Sequence, residues 1–176
     1  MRIVQNAISE NAPLRQRLAA AVAAWQESPP TRAAMVDTAK ALMEWRERTG
    51  ATGLWDAAPR MVTATVDDGM GQGLDLIHRF ARLAGVDLHP LGLMVPVADI
   101  VAACRHLQPA WLGMTVLQFD SEPFITGIRA ALPASVRIIA GGPLFKADPD
   151  LAARCGIDTV LPSAAAFAAY LLAYGP

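Results

Sequence analysis

The chain has 176 residues, 53% apolar and 18% charged, with a formal net charge of -1, which describes one or two small globular domains. Fifteen basic against sixteen acidic residues leave no cationic excess to neutralise a phosphate backbone, which speaks against nucleic acid as the main partner. No apolar run reaches the roughly 18 to 20 residues that a membrane span requires. The stretch from Met1 to Asn6 lacks the apolar core of a signal peptide, so the expected location is cytoplasmic.

From Asn6 to about Thr49 the pattern is helical. Leu14, Leu18, Val22 and Trp25 recur on one face, and Arg15, Arg17 and Gln26 fall on others. Pro29-Pro30 ends this helix. Thr31 can cap a second one, whose apolar face is Met35, Val36, Ala39, Leu42 and Met43 and which stops at Gly50. Two helices make only half a bundle, so residues 1–50 read as a helical cap or as an oligomerisation segment, with a homodimer through these helices as one outcome. Residues 51–59, with Gly53 and Pro59, read as a linker.

From residue 60 to residue 176 the period changes. Short aliphatic runs at Met61 to Val66, Val86 to Pro90, Ala110 to Val116, Val136 to Ala140 and Asp158 to Leu161 read as strands. Between and after them, Gln72 to Ala84, Val97 to Leu107, Glu122 to Leu132, a short stretch near Pro149 to Cys155, and Ser163 to Ala173 read as helices. Strands alternating with helices demand a parallel sheet, because parallel strands need crossover connections. The fold class expected is α/β: a flavodoxin-like, Rossmann-like doubly wound sheet of five parallel strands, preceded by the short helical segment. Ligands of such sheets sit beyond the carboxyl ends of the strands, where the strand order reverses.

After the first strand stands Asp67-Asp68-Gly69-Met70-Gly71-Gln72-Gly73. The glycines permit close approach of a ligand and lead into a helix N-terminus. The dinucleotide fingerprint G-x-G-x-x-G fails, since position 74 is Leu, and the acidic pair would repel a pyrophosphate. A phosphorylated receiver domain would need an acceptor Asp after the third strand, where Met114-Thr115-Val116 stands instead. Thr115 puts a hydroxyl at the mouth of the crevice, and Gly141-Gly142-Pro143 removes side chains after the fourth strand with no other evident reason. No serine or cysteine sits in a nucleophile elbow, so no self-contained catalytic site is expected. Cys104 and Cys155 read as buried thiols, and Asp67 with Asp68 as a solvated turn.

Asp68-Gly69-Met70-Gly71-Gln72-Gly73, then Thr115-Val116-Leu117, then Gly141-Gly142, resemble the D-x-H-x-x-G … S-x-L … G-G signature of cobalamin-binding domains, the corrinoid modules of methionine synthase, mutases and methyl-carrier proteins. The resemblance covers residues 60 to 176. It implies cofactor-binding roles for Asp68, Gly69, Met70, Gly73, Thr115, Leu117, Gly141 and Gly142. It also implies that the family's histidine replaces the cofactor's own base as lower ligand to cobalt, held by the Asp. Here that position is Met70, a soft, neutral thioether with no proton to relay, so the histidine-on mode is not expected.

Three outcomes stay open: cobalamin with its own base or no protein ligand on cobalt, haem in its place, or no ligand at all. No metal site proper is expected, with Met70 and His89 as weak candidates for an axial ligand. His89 is placed after the second strand at the edge of the crevice, His78 on a helix face, and His106 in the last turn of its helix. The function expected is that of a corrinoid-carrying protein of methyltransferase systems, partnered by a methyltransferase. The alternative is a tetrapyrrole sensor or ligand-free adaptor that signals through a regulatory protein partner.

Overall fold

A computed structural model describes the backbone of residues 2–67 and 72–175 and the side chains of residues 13–67 and 73–175. The chain divides into two compact units, Met1–Pro59 with Asp75–Asp87 and Ala164–Pro176, and Arg60–Leu74 with Leu88–Ser163. Among the described residues no helix is long and apolar enough to cross a membrane.

The first unit is helical. Helix α1 (Arg2–Glu27) buries the row Leu14, Leu18 and Val22 that the periodicity selects. Helix α2 (Arg32–Thr49) starts where the Thr31 Oγ1 accepts a hydrogen bond from the Ala34 N–H at 3.1 Å and stops at Gly50, whose φ of 71° is the left-handed cap. The unit also takes in most of α3 (Gln72–Ala84) and all of α8 (Ala164–Ala173). The Arg15 guanidinium donates to the Leu172 carbonyl at 2.6 Å and to the Leu54 carbonyl at 3.1 Å, tying α1 to the end of α8 and to the segment after α2. Trp25 meets the Phe80 ring edge-on at 5.7 Å, and Arg17 lies 4.7 Å from the centre of the Trp45 ring.

Residues 51–59, read from sequence as a linker, are held along their length. The Leu54 N–H donates to the Ala84 carbonyl at 2.8 Å, Trp55 Nε1 donates to the Tyr174 carbonyl at 3.0 Å, and Arg46 donates to the carbonyls of Ala51 and Leu83. Gly53 and Gly85 let two backbones touch: a Cβ on Gly85, whose φ is 82°, would lie 2.8 Å from the Thr52 carbonyl oxygen and 2.9 Å from the Gly53 Cα.

The second unit carries the sheet. Its strands β1 (Arg60–Ala64), β2 (Asp87–Gly92), β3 (Trp111–Thr115), β4 (Arg137–Gly141) and β5 (Thr159–Val160) lie in the order β2-β1-β3-β4-β5. The pairs β1–β3, β3–β4 and β4–β5 are parallel, with Val62 beside Leu112, Leu112 beside Ile138 and Ile139 beside Thr159. This is the flavodoxin-like order expected from the alternation, and it reverses between β1 and β3. One face is a dry core of Val62, Ala64, Leu112, Met114, Ile138 and Ala140 packed with Ile100 and Cys104 of α4 (Val97–Leu107) and Ile125 and Ile128 of α5 (Glu122–Ala131). Two short helices, α6 (Leu144–Ala147) and α7 (Leu151–Cys155), follow β4; the sequence reading has only the second.

Strand β2 continues past Pro90 to Gly92, because it is an edge strand and the missing proline N–H breaks no interior ladder. Both cysteines are free and buried, as expected, and burial pushes the Cys104 thiol up to about 11, so it stays protonated and inert.

His78 on α3 is half-buried, and its pKa is held below the ordinary value by burial first and by the Arg82 charge second, with Asp75 opposing. The unfolded chain therefore takes up this proton at a higher pH than the folded one, near ~6.5. The contribution of His78 to stability is complete above that pH and is lost as pH falls through the lower folded value. Thermal unfolding should occur at lower temperature at pH 5.5 than at pH 7.5, and His78→Gln should shrink the difference; an unchanged difference would assign it to other groups.

Candidate functional site

The reversal of strand order puts the carboxyl ends of β1 and β3 side by side with nothing crossing between them, and the chain leaving each end supplies the site. Thr65 continues beyond β1, and the chain then bends at Val66 and Asp67. The Thr65 N–H donates to the Gly92 carbonyl at 3.1 Å, the Val95 N–H donates to the Thr65 carbonyl at 3.0 Å, and the Met94 N–H donates to the Asp67 carbonyl at 3.3 Å. This prolonged ladder holds Met94 at a φ of 53°, uncommon outside glycine, with its side chain 68% exposed. Leu93 beside it, Phe119 in the 3-10 turn after β3, and Phe124 at the start of α5 are exposed too, so the exposed large apolar side chains among the described residues all lie at this end of the sheet.

Asp67 is not the solvated turn residue expected. It is 4% exposed, and its carboxylate accepts the Leu117 N–H at 2.6 Å on one oxygen and the Ser121 hydroxyl on the other. A buried carboxylate is tolerated when its lone pairs are satisfied, and bonds to a charged acceptor are among the stronger ones. The effect is a brace from the end of β1 to the turn after β3. It fixes Leu117, one of the residues singled out by the sequence pattern, in place. Neither Asp67 nor Ser121 belongs to that pattern, and their partners lie 50 and 54 residues away, which no local periodicity signals.

Strand alternation sorts the rest. Val62, Ala64, Leu112, Met114, Ile138 and Ala140 face the core of α4 and α5, so Met61, Thr63 and Thr65, with Trp111, Gly113 and Thr115 and then Ile139 and Gly141, lie on the opposite face. Thr115 is in register with Gly141, and Thr65 follows one step after the Ala64–Met114 pair, so Thr65, Thr115 and Gly141 form a row across three strands. The face tapers from bulky Trp111 and Met61 to this row of small residues at the carboxyl edge. Gly113 leaves space that the Met61 Cε fills, with the Thr63 Cγ2 at 3.3 Å from where a Cβ would be. The Thr65 hydroxyl is buried in a residue 2% exposed and has no hydrogen-bond partner among the described residues.

The double glycine has a reason of its own, contrary to the sequence expectation. A Cβ on Gly141 would lie 2.8 Å from the Leu161 carbonyl oxygen, and one on Gly142, whose φ is 136°, would run into the Val116 carbonyl. Three strand ends are woven here, with the Val116 N–H on the Gly141 carbonyl at 2.9 Å and the Leu161 N–H on the Ala140 carbonyl at 2.7 Å. Gly73 is different: a Cβ there would meet nothing within 4 Å, so packing among the described residues does not require it.

Of the other residues singled out by sequence, Asp68, Gly69 and Met70 lie outside the described residues. Thr115 and Leu117 come together at the end of β3. His89 does not follow β2; it lies inside it, three residues short of the end at Gly92, because the strand runs on through Pro90, and so it is set back from the crevice. His78 and His106 are on helices α3 and α4, as expected. No group of three His, Cys, Asp or Glu side chains is placed to hold a metal ion among the described residues.

Comparison with known proteins gives a consistent result. The B12 binding domain family matches residues 60–171. A cobalamin-binding protein from Desulfitobacterium hafniense is 19% identical, with a TM-score of 0.70 over 83% of this chain and 72% of that one. The monomethylamine corrinoid protein of Methanosarcina barkeri is 19% identical, with a TM-score of 0.60 over 79% of this chain and 64% of that one. The methanol:cobalamin methyltransferase complex MtaBC of the same organism contains a chain 16% identical, with a TM-score of 0.68 over 96% of this chain and 69% of that one. At these identities the likeness is one of fold. No curated protein matches the sequence.

The Asp67 brace makes a direct prediction. Asp67→Ala leaves the Leu117 N–H and the Ser121 hydroxyl without their acceptor and should cost about 2–3 kcal/mol in urea unfolding. Ser121→Ala should cost less, and the double variant should cost less than the sum of the two. Additive losses would mean that the two side chains act independently.

Proposed function

The chain belongs to the B12-binding domain family, and on that premise we propose that it carries a corrinoid at the carboxyl ends of β1 and β3 without a histidine of its own as lower ligand, serving a partner methyltransferase. The observation that carries this reading is the match of the family to residues 60–171 together with the place where the order β2-β1-β3 reverses, which is where folds of this kind hold their ligands. The residues at that place suit the group. An exposed apolar rim of Leu93, Met94, Phe119 and Phe124 suits the flat face of a macrocycle, Gly73 leaves open space at the start of α3, and the small side chains of Thr65 and Thr115 leave room along the sheet for an extended tail. The near-neutral composition suits an uncharged macrocycle better than a polyphosphate.

When bound, the corrinoid supplies the cobalt chemistry of methyl transfer, and the protein supplies binding and orientation. The chain's own contribution begins with Asp67, which holds the Leu117 turn against the end of β1. The tight weave of Gly141, Gly142, Val116 and Leu161 keeps the neighbouring strand ends free of side chains. Met70 stands where the family's pattern has histidine, and a thioether neither matches imidazole as a cobalt ligand nor presents an N–H for Asp68 to hold. With its tail extended along the sheet, the cofactor's own base is off cobalt, and the motif supplies no histidine in its place. The partner follows from the same reading, since a methyl carrier needs an enzyme to load and unload it.

The test is spectroscopic. Protein incubated with hydroxocobalamin and passed through gel filtration should retain near-stoichiometric cobalamin with a base-off spectrum that lacks histidine ligation. Met70→His should bind about tenfold more tightly and shift the spectrum to that of a histidine-ligated form. A Soret band after incubation with haemin, with no cobalamin retained, would replace this reading with that of a haem sensor. Loss of both cofactors by wild type and variant alike would contradict corrinoid carriage.

A further inference from the structure

The Thr65 hydroxyl is a buried polar group left unpaired at the carboxyl edge of the sheet. Thr65 is 2% exposed, its Oγ1 has no partner among the described residues, and its backbone N–H and carbonyl are both already used by Gly92 and Val95. Such a group is destabilising in the free protein, because the hydroxyl has given up water and received nothing in return. A valine would fill the same volume without that penalty, and β-branched apolar residues are the ordinary occupants of a buried parallel strand. A threonine retained here under that penalty points to a partner that arrives from outside.

Its neighbours indicate what kind of partner. Thr65, one step beyond β1, and Thr115, at the end of β3, form a row of two hydroxyls on the face opposite the apolar core, while the Leu161 carbonyl already fills the space over Gly141 on β4. Below the row the face is closed by Trp111, fully buried, and by Met61, whose Cε lies over Gly113. A ligand entering along this face from the carboxyl edge therefore meets hydroxyl donors first and an apolar floor after them. Met61 is unbranched and has several rotamers open to it, so it can yield space in a way that the β-branched residues around it cannot. No charged side chain belongs to the row, so the group accepted is polar and neutral or carries its charge elsewhere.

We propose that the Thr65 hydroxyl is a ligand-binding group, donating a hydrogen bond to an oxygen or nitrogen acceptor on the extended tail of the bound corrinoid, with Met61 moving aside to admit that tail. This assignment rests on the corrinoid-carrier reading and adds to it a residue outside the D-x-H-x-x-G, S-x-L and G-G pattern. Because the hydroxyl is out of reach of solvent in the free chain, it is satisfied only on binding, and its contribution belongs wholly to the complex.

The experiment uses the full chain with hydroxocobalamin and measures two quantities on Thr65→Val and Thr65→Ser: the midpoint of thermal unfolding without cofactor, and the Kd for cobalamin. Thr65→Val should unfold no earlier than wild type, or up to about 4 °C later, and should bind cobalamin about tenfold more weakly. Thr65→Ser keeps the hydroxyl and should bind within about threefold of wild type. Equal affinity for wild type and Thr65→Val would overturn the assignment while leaving the carrier reading intact. Earlier unfolding of Thr65→Val would also overturn it, by showing that the hydroxyl is already satisfied in the free chain. Failure of the wild-type chain to bind cobalamin would bring down the carrier reading and this assignment together.

Discussion

The carboxylate of Asp67 joins the two strand ends between which the sheet reverses its order. One oxygen takes the Leu117 N–H and the other the Ser121 hydroxyl, so the turn leaving β3 is fastened to the chain leaving β1. The fastening is buried, where a bond to a charged acceptor is strong and where losing either partner is costly. The other features of the site are built on it. Thr65 pairs with Gly92 and Val95, and Met94 is held in its left-handed conformation by an N–H on the Asp67 carbonyl. A crevice in a parallel sheet is only as well defined as the loops around it, and here one side chain sets two of them.

Much of the fold is legible in the sequence because it is written in local patterns. Helices α3 and α4 begin and end where the apolar period and the flanking turn residues place them, and the Thr31 cap and the Gly50 stop of α2 follow from residue type alone. The alternation of aliphatic runs with helices forces a parallel sheet, and the flavodoxin-like order follows. Local pattern fails where a residue's role is set by distant partners. Asp67 in an acidic pair reads as solvent-facing, and only contacts 50 and 54 residues away make it a brace. Gly141 and Gly142 read as ligand space, but backbone crowding from Leu161 and Val116 already requires them. Pro90 reads as the end of β2, but an edge strand tolerates it. Within the 51–59 segment, Gly53 lets two backbones meet at Gly85, a close approach that residue type alone does not signal.

The candidate site is legible in a different proportion. The motif pieces at Thr115, Leu117 and Gly141 fall at the strand ends where the family's pattern expects them, and Met70 is recognisable as a departure from that pattern by residue type. What the sequence does not carry is the sorting of the sheet into two faces. That sorting depends on register, which places Thr65 beside Thr115 and Gly141 and leaves its hydroxyl without a partner. By residue type, position 70 carries a thioether where the family's pattern has an imidazole. On the reading proposed above, binding of a corrinoid is retained and control of the cobalt through a protein histidine is not.

The most direct measurement is a crystal structure of the chain grown with hydroxocobalamin. The account predicts the corrin ring over the carboxyl ends of β1 and β3, against the rim formed by Met94 and Phe119, with no histidine of the protein on cobalt. A corrinoid seated anywhere else on the chain, or a histidine side chain found on the metal, would contradict it.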